Sequence, residues 1–239
     1  MVDACARQLR DAVCPLWGVE YRPINVYAGL DGLPPGTTDP VFLMDTPGDR
    51  SVWGSHFRTL TPVARVFVDP VLEDGGGVVL ADNANLQRPT VAAVLSHELI
   101  EMTVDPDLDR YVLGPGGNEY PVEPADPVQR WQVMGFSDVN EARGLVMLSD
   151  FVLPAYYQEG APGPWNFGRT AQVPTTTPEL PGPFTIAPGG YSLVNGDPVY
   201  GRRRDGTTVY PDSWVQAARV SKRRARRELT GRPPVYIHP

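Results

Sequence analysis

Residues 90–105 read TVAAVLSHELIEMTVD, and the way this stretch folds sets the organisation of the chain around it. Pro89 precedes it, and Pro106 follows Asp105. A residue before proline is pushed out of the helical region. The spacing therefore predicts a helix over 90–104 that stops at Asp105. Advancing about 100° per residue from Val91, the side chains of Val91, Leu95, Leu99 and Met102 fall within roughly 0–80°. On the same wheel His97, Glu98, Glu101 and Asp105 fall within roughly 240–340°. A helix that is otherwise largely apolar thus carries a histidine and three acids along one stripe. Burying such groups uncompensated costs on the order of several kcal/mol each, so the stripe calls for partners or a cation.

His97 and Glu101 are four residues apart, close enough on a helix for both side chains to reach one point. Glu98 lies beside the first of them, where it can act on a water held at that point. Two ligands at i and i+4 with an intervening glutamate as general base is the physical logic of the HExxH pattern. Here the pattern is HExxE, a harder and more anionic donor pair. Further donors are available downstream, where Asn118 to Pro127 (NEYPVEPADP) offers Glu119, Glu123 and Asp126. Asp105, one helical turn beyond Glu101, is placed to orient a ligand. The plain alternatives are a solvated helix face with an ordinary i,i+4 pair, and carboxylates on a proline-rich surface loop. His56, in Gly54-Ser55-His56, reads as a loop histidine, and His238 as incidental. Tyr120, Tyr156 and Tyr157 read as core residues that could also serve as oxyanion donors.

The segment His97-Glu98-Leu99-Ile100-Glu101 resembles the motif of zincin-type metallopeptidases, with Glu101 standing where the second histidine usually is. The phrases SHELIEMTVDP (96–106), VEPADPVQ (122–129) and SDFVLPAYY (149–157) are also similar to bacterial and tailed-phage proteins of metallopeptidase type. The resemblance covers residues 20–155. It implies an α+β fold, in which a zincin-like small mixed sheet packs on the metal-binding helix. It implies a divalent metal, zinc first, with calcium, manganese or iron as alternatives. The ligands would be His97, Glu101 and a third residue, Glu123 by preference and otherwise Asp126. Glu98 would be the catalytic base, and a peptide or protein the substrate.

The rest of the chain divides by composition. Strands are expected at 20–28, 41–45, 63–69 and 78–81 ahead of the helix, and at 131–136 and 145–152 after it. Residues 154–200 hold nine prolines and seven glycines and read as extended and turn-rich. Residues 213–229 return to helical character. Three regions follow: a metal-binding domain over 1–155, a Pro/Gly-rich extended segment over 156–200, and a basic tail with a helix over 201–239. That tail carries ten Lys/Arg against three Asp/Glu, a net +7 in a chain of net −7, so residues 1–200 carry −14. A basic tail on an acidic body suggests a partner of its own. Docking on the body or assembly partners through residues 156–239 are favoured over nucleic acid. An alternative reading follows, a virion or other assembly protein that keeps the zincin-like core around a structural metal or none. Cys5 and Cys14 would point to opposite sides of one helix and are not expected to bridge. No apolar run is long enough for a bilayer span or a leader peptide, which suggests a cytoplasmic or virion-associated protein without a membrane partner.

Overall fold

The computed structural model describes residues 1–27, 34, 36–46, 53–58, 61–80, 88–135, 146–170, 175–210 and 235–237. It is a mixed α and β fold of small sheets and few helices, arranged around one long helix. That helix, α4 (Val91–Val104), is preceded by α1 (Val2–Gln8), α2 (Cys14–Trp17) and α3 (Val68–Glu73). A short π-helical stretch, Leu9–Val13, joins α1 to α2, so the helical segment that carries Cys5 and Cys14 runs on to Trp17. It ends at Gly18, whose left-handed conformation (φ 62°) suits a residue without a Cβ. Cys5 and Cys14 are both free and buried.

Three strands come before α4: β1 (Val41–Met44), β2 (Gly54–Arg58) and β3 (Pro62–Phe67). They form one mixed sheet in the order β1-β3-β2, with β1 parallel and β2 antiparallel to β3. His56 pairs with Ala64 across this sheet. The strands expected at 41–45 and 63–69 are therefore present, although Val68 and Asp69 already belong to α3. Residues 20–27 form no strand. Pro23 denies that segment a ladder donor, and Val19, Tyr21 and Ile24 pack against the core as irregular chain.

Residues 78–80 also form no strand, and the reason is visible in their carbonyls. The oxygens of Gly77 and Val78 accept from the N–H groups of Val91 and Ala92, each at 2.9 Å. The Val79 oxygen accepts from Met147 N at 2.9 Å. The first N–H groups of a helix have no partner within it, and this segment supplies them. Thr90 completes the cap: its Oγ1 accepts from Ala93 N at 3.0 Å and donates to Met147 O at 3.0 Å. Helix α4 ends as expected at Asp105, which leaves the helical region (ψ 69°) ahead of Pro106.

After α4, among the described residues, come three antiparallel strand pairs. The first pairs β4 (Arg110–Leu113) with β5 (Glu119–Pro121), and β10 (Val235–Tyr236) adds in parallel on β4. The second pairs β6 (Gln132–Gly135) with β7 (Val146–Ser149). In the third, β8 (Tyr191–Val194) and β9 (Asp197–Tyr200) turn through Asn195-Gly196, both with positive φ. Asn-Gly in that conformation is the preferred two-residue hairpin turn. Asn195 docks this hairpin on β5, exchanging backbone bonds with Glu119 through its own N–H and its Oδ1. The expected helix over 213–229 lies outside the described residues.

Helix α4 is buried along its whole length except at Thr103, with the β2–β3 sheet on one side and β7 on another. A buried polar chain fixes its rotation. Ser96 Oγ donates to Gln8 Oε1 at 2.6 Å, Gln8 Nε2 donates to Ser149 O at 2.8 Å, and Ser149 N donates back to Ser96 Oγ at 3.2 Å. The contact therefore holds α1, α4 and β7 in one register, with the His97 stripe turned away from it. Among the described residues no helix is long and apolar enough to cross a membrane.

Candidate metal centre

The polar stripe of α4 meets two other elements. Strand β2 brings His56 against it; residues 54–56 of that strand are buried, and His56 is 3% exposed. A short 3₁₀ turn, Asp126–Val128, brings Asp126 from the other side. His97 is the most exposed of the group at 5%, while Glu98, Glu101, Glu123 and Asp126 are all buried.

Two clusters result, and they share one residue. In the first, His56 Nδ1 stands 3.2 Å from Glu98 Oε2 and 3.1 Å from Glu101 Oε2. In the second, His97 Nε2 stands 3.1 Å from Glu101 Oε1 and 3.2 Å from Asp126 Oδ1. Within each triad the candidate ligand atoms all lie within 4.8 Å of one another, so each could hold a metal ion.

These separations suit metal binding. Ligands about 2.1 Å from a common ion stand about 3.0 Å apart in an octahedron and about 3.4 Å apart in a tetrahedron. The four nitrogen–oxygen separations fall in that interval. Without an ion, a proton on each of these nitrogens serves one of the two carboxylates that face it. Burial alone would lower both histidines. For His56 the hydrogen bonds and charges of Glu101 and Glu98 reverse this and push it up to about 9. For His97 the charge of Glu101 and the bond to Asp126 push it up to about 10. Positive charge is thus strongly favoured at this point, and protons and divalent cations compete to supply it.

The carboxylates expected downstream take different places. Asp126 stands beside His97, while Glu123 is buried on the same connection and belongs to neither triad. Asp105 is fully buried, and its carboxylate accepts from the backbone N–H groups of Asp109 and Arg110, at the turn that leads into β4. His56, read from sequence as a loop histidine, is a buried strand residue instead. Its only sequence signal was its place in a short segment, Gly54 to Arg58, that precedes the alternating strand β3. Tyr157 is buried nearby. Burial, then Tyr156 and the charges of Glu123, Asp126 and Glu101, hold its hydroxyl well above the usual range, so it stays a neutral donor.

A small cleft reaches the stripe from outside. Trp53, Pro89, Val94 and Gln129 line it, and His97 and Glu98 form part of its wall. Trp53 is fixed by a bond from its Nε1 to Asp74 Oδ2 at 2.7 Å. Glu98 is pressed close to the β2 backbone: a Cβ on Gly54 would lie 2.6 Å from its Oε1. No protein-family model, curated protein or solved structure matches this chain.

Proposed function

We propose that this protein is a metal-dependent hydrolase of the zincin type acting on peptide bonds, with a divalent cation held by His97, Glu101 and Asp126. The observation that carries the reading is the pairing of that triad with Glu98 at the wall of the cleft. A triad alone would serve a structural ion equally well. A carboxylate beside the triad and lining a cleft is what hydrolysis adds to the requirement. One nitrogen and two carboxylates suit zinc, with manganese and iron next.

A cation so held acidifies water and polarises a carbonyl, lowering the pKa of water from ~15.7 to near ~7. The chain's own groups do the rest. Glu98 accepts the proton from the attacking water and later delivers it to the leaving amine, so the proton balance closes on one residue. Trp53 and Val94 give the cleft an apolar wall beside Glu98. Tyr157, kept neutral by burial, is the candidate donor to the developing oxyanion.

Replacing Glu98 tests this directly. Glu98→Gln keeps the shape of the side chain and removes its basicity. Peptide hydrolysis should fall by about 10²–10⁴-fold, the range of general-base contributions, while the cation at His97 stays bound. Hydrolysis at the wild-type rate by that variant would leave only a structural ion.

A further inference from the structure

Glu101 does not face one histidine. Its Oε1 is turned to His97 Nε2 and its Oε2 to His56 Nδ1, each at 3.1 Å. Each histidine then has a second carboxylate of its own, Asp126 for His97 and Glu98 for His56, each at 3.2 Å. The result is two equivalent nitrogen–oxygen–oxygen triads joined through the two oxygens of one buried carboxylate. A glutamate that served a single ion would need only one of those oxygens, or both turned to the same side.

We propose that the centre binds two divalent cations, one at His97–Asp126 and one at His56–Glu98, with the Glu101 carboxylate bridging them. This deepens the hydrolase reading and rests on it for the first cation; the second rests on His56. A proton on His56 Nδ1 could sit where the second cation would. It would bond well to only one of the two carboxylates. A cation binds both carboxylates at once and leaves the ring neutral. Carboxylate-bridged pairs of this kind hold their ions about 3.5–4 Å apart and clamp the attacking and leaving groups of a displacement between them. In such a pair Glu98 would ligate through Oε2, the oxygen turned to His56. The majority of oxygen donors favours manganese, iron or zinc over softer metals.

The test is a count combined with a spectroscopic signature. The wild-type protein, His56→Ala and His56→Gln are stripped with a chelator, loaded with Zn²⁺ or Mn²⁺, desalted and analysed for metal. The wild type should hold two cations per chain, and its Mn²⁺ form should give the paramagnetic resonance signal of an exchange-coupled pair. Both His56 variants should hold one, with the six-line signal of isolated Mn²⁺. One cation in the wild type, unchanged in the variants, overturns the pair and leaves the hydrolase reading standing. Two cations without coupling, both kept in the variants, place the second ion elsewhere and also overturn it. No cation in the wild type removes both readings. If the alanine variant fails to fold, the glutamine variant and the wild-type count still decide.

Discussion

Glu98 and Glu101 are the same residue type, one helical turn apart and equally buried, yet their neighbours give them different work. Glu101 lies between two histidines, and both its oxygens are engaged. Glu98 touches one histidine and the backbone of β2 at Gly54, and it forms part of the cleft wall. The absence of a side chain at residue 54 is what lets the strand come this near. A Cβ there would meet Glu98 Oε1 at 2.6 Å and Val94 Cγ1 at 2.8 Å, closer than such atoms approach. Gly54→Ala is therefore expected to push Glu98 off its position while leaving His97 and Asp126 where they are. Peptide hydrolysis should drop at least ~10-fold, since misplacing a reacting group by about 1 Å costs that much or more. Zinc content at the His97 triad should be unchanged. Steady-state rates and metal analysis of the same preparation check this, and an unaltered rate would show that Glu98 placement does not limit the reaction. The sequence made Glu98 and its helical neighbours visible because their spacing is local. His56 was not visible, being 42 positions from Glu98 on a strand too short to show an alternating pattern.

At the scale of elements, α4 was legible from end to end because its signals are covalent and close by: Pro89 ahead of it, Pro106 as stop, and a periodic apolar face between them. The segments at 20–28 and 78–81 have strand-like composition, but composition says nothing about what their backbone groups must satisfy. For 77–79 the answer is the first turn of α4 and Met147, a requirement set by an element that comes later in the chain. The Asn195-Gly196 turn was in principle readable as a hairpin signal, although it lies in a stretch whose proline content suggests no regular structure. Thr90 is the joint of this arrangement, since its hydroxyl caps α4 and also ties it to β7 through Met147 O. Thr90→Ala removes both bonds at a fully buried position, and the cap alone is worth about 1 kcal/mol, with up to about 2 kcal/mol at the upper end. For a chain of this size about 1 kcal/mol moves the melting temperature by roughly 2–4 °C. A lowering of roughly 3–8 °C is expected by calorimetry on the same scale. A melting point within a degree of wild type would mean that neighbouring groups replace both bonds.

Across the whole molecule, the buried charge of the centre links folding to both metal and pH. The elements that carry it come from three separate parts of the chain, β2, α4 and the turn at Asp126, so anything that binds there binds the folded state alone. A cation present at about 100 times its dissociation constant would stabilise the fold by roughly 2.7 kcal/mol, or on the order of 5–10 °C in melting temperature. Chelation should remove that increment. The metal-free protein must then rely on protonated histidines, and the sign of its pH dependence follows. Both histidines are raised in the folded state from an ordinary 6.5, His56 to about 9 and His97 to about 10. Stability from a group raised in this way is fully present below the unfolded value and is lost as pH rises through the folded one. The chelated protein should therefore melt progressively lower as pH climbs from about 6.5 through about 9–10, the range those two values bound. The loaded protein needs no protons on those rings, so its melting temperature should stay nearly level over the same interval. The gap between the two curves should widen with pH, because cations displace protons more easily as protons become scarce. Melting curves with and without chelator at several pH values measure this gap. Curves that coincide at every pH would show that no cation distinguishes the folded chain from the unfolded one.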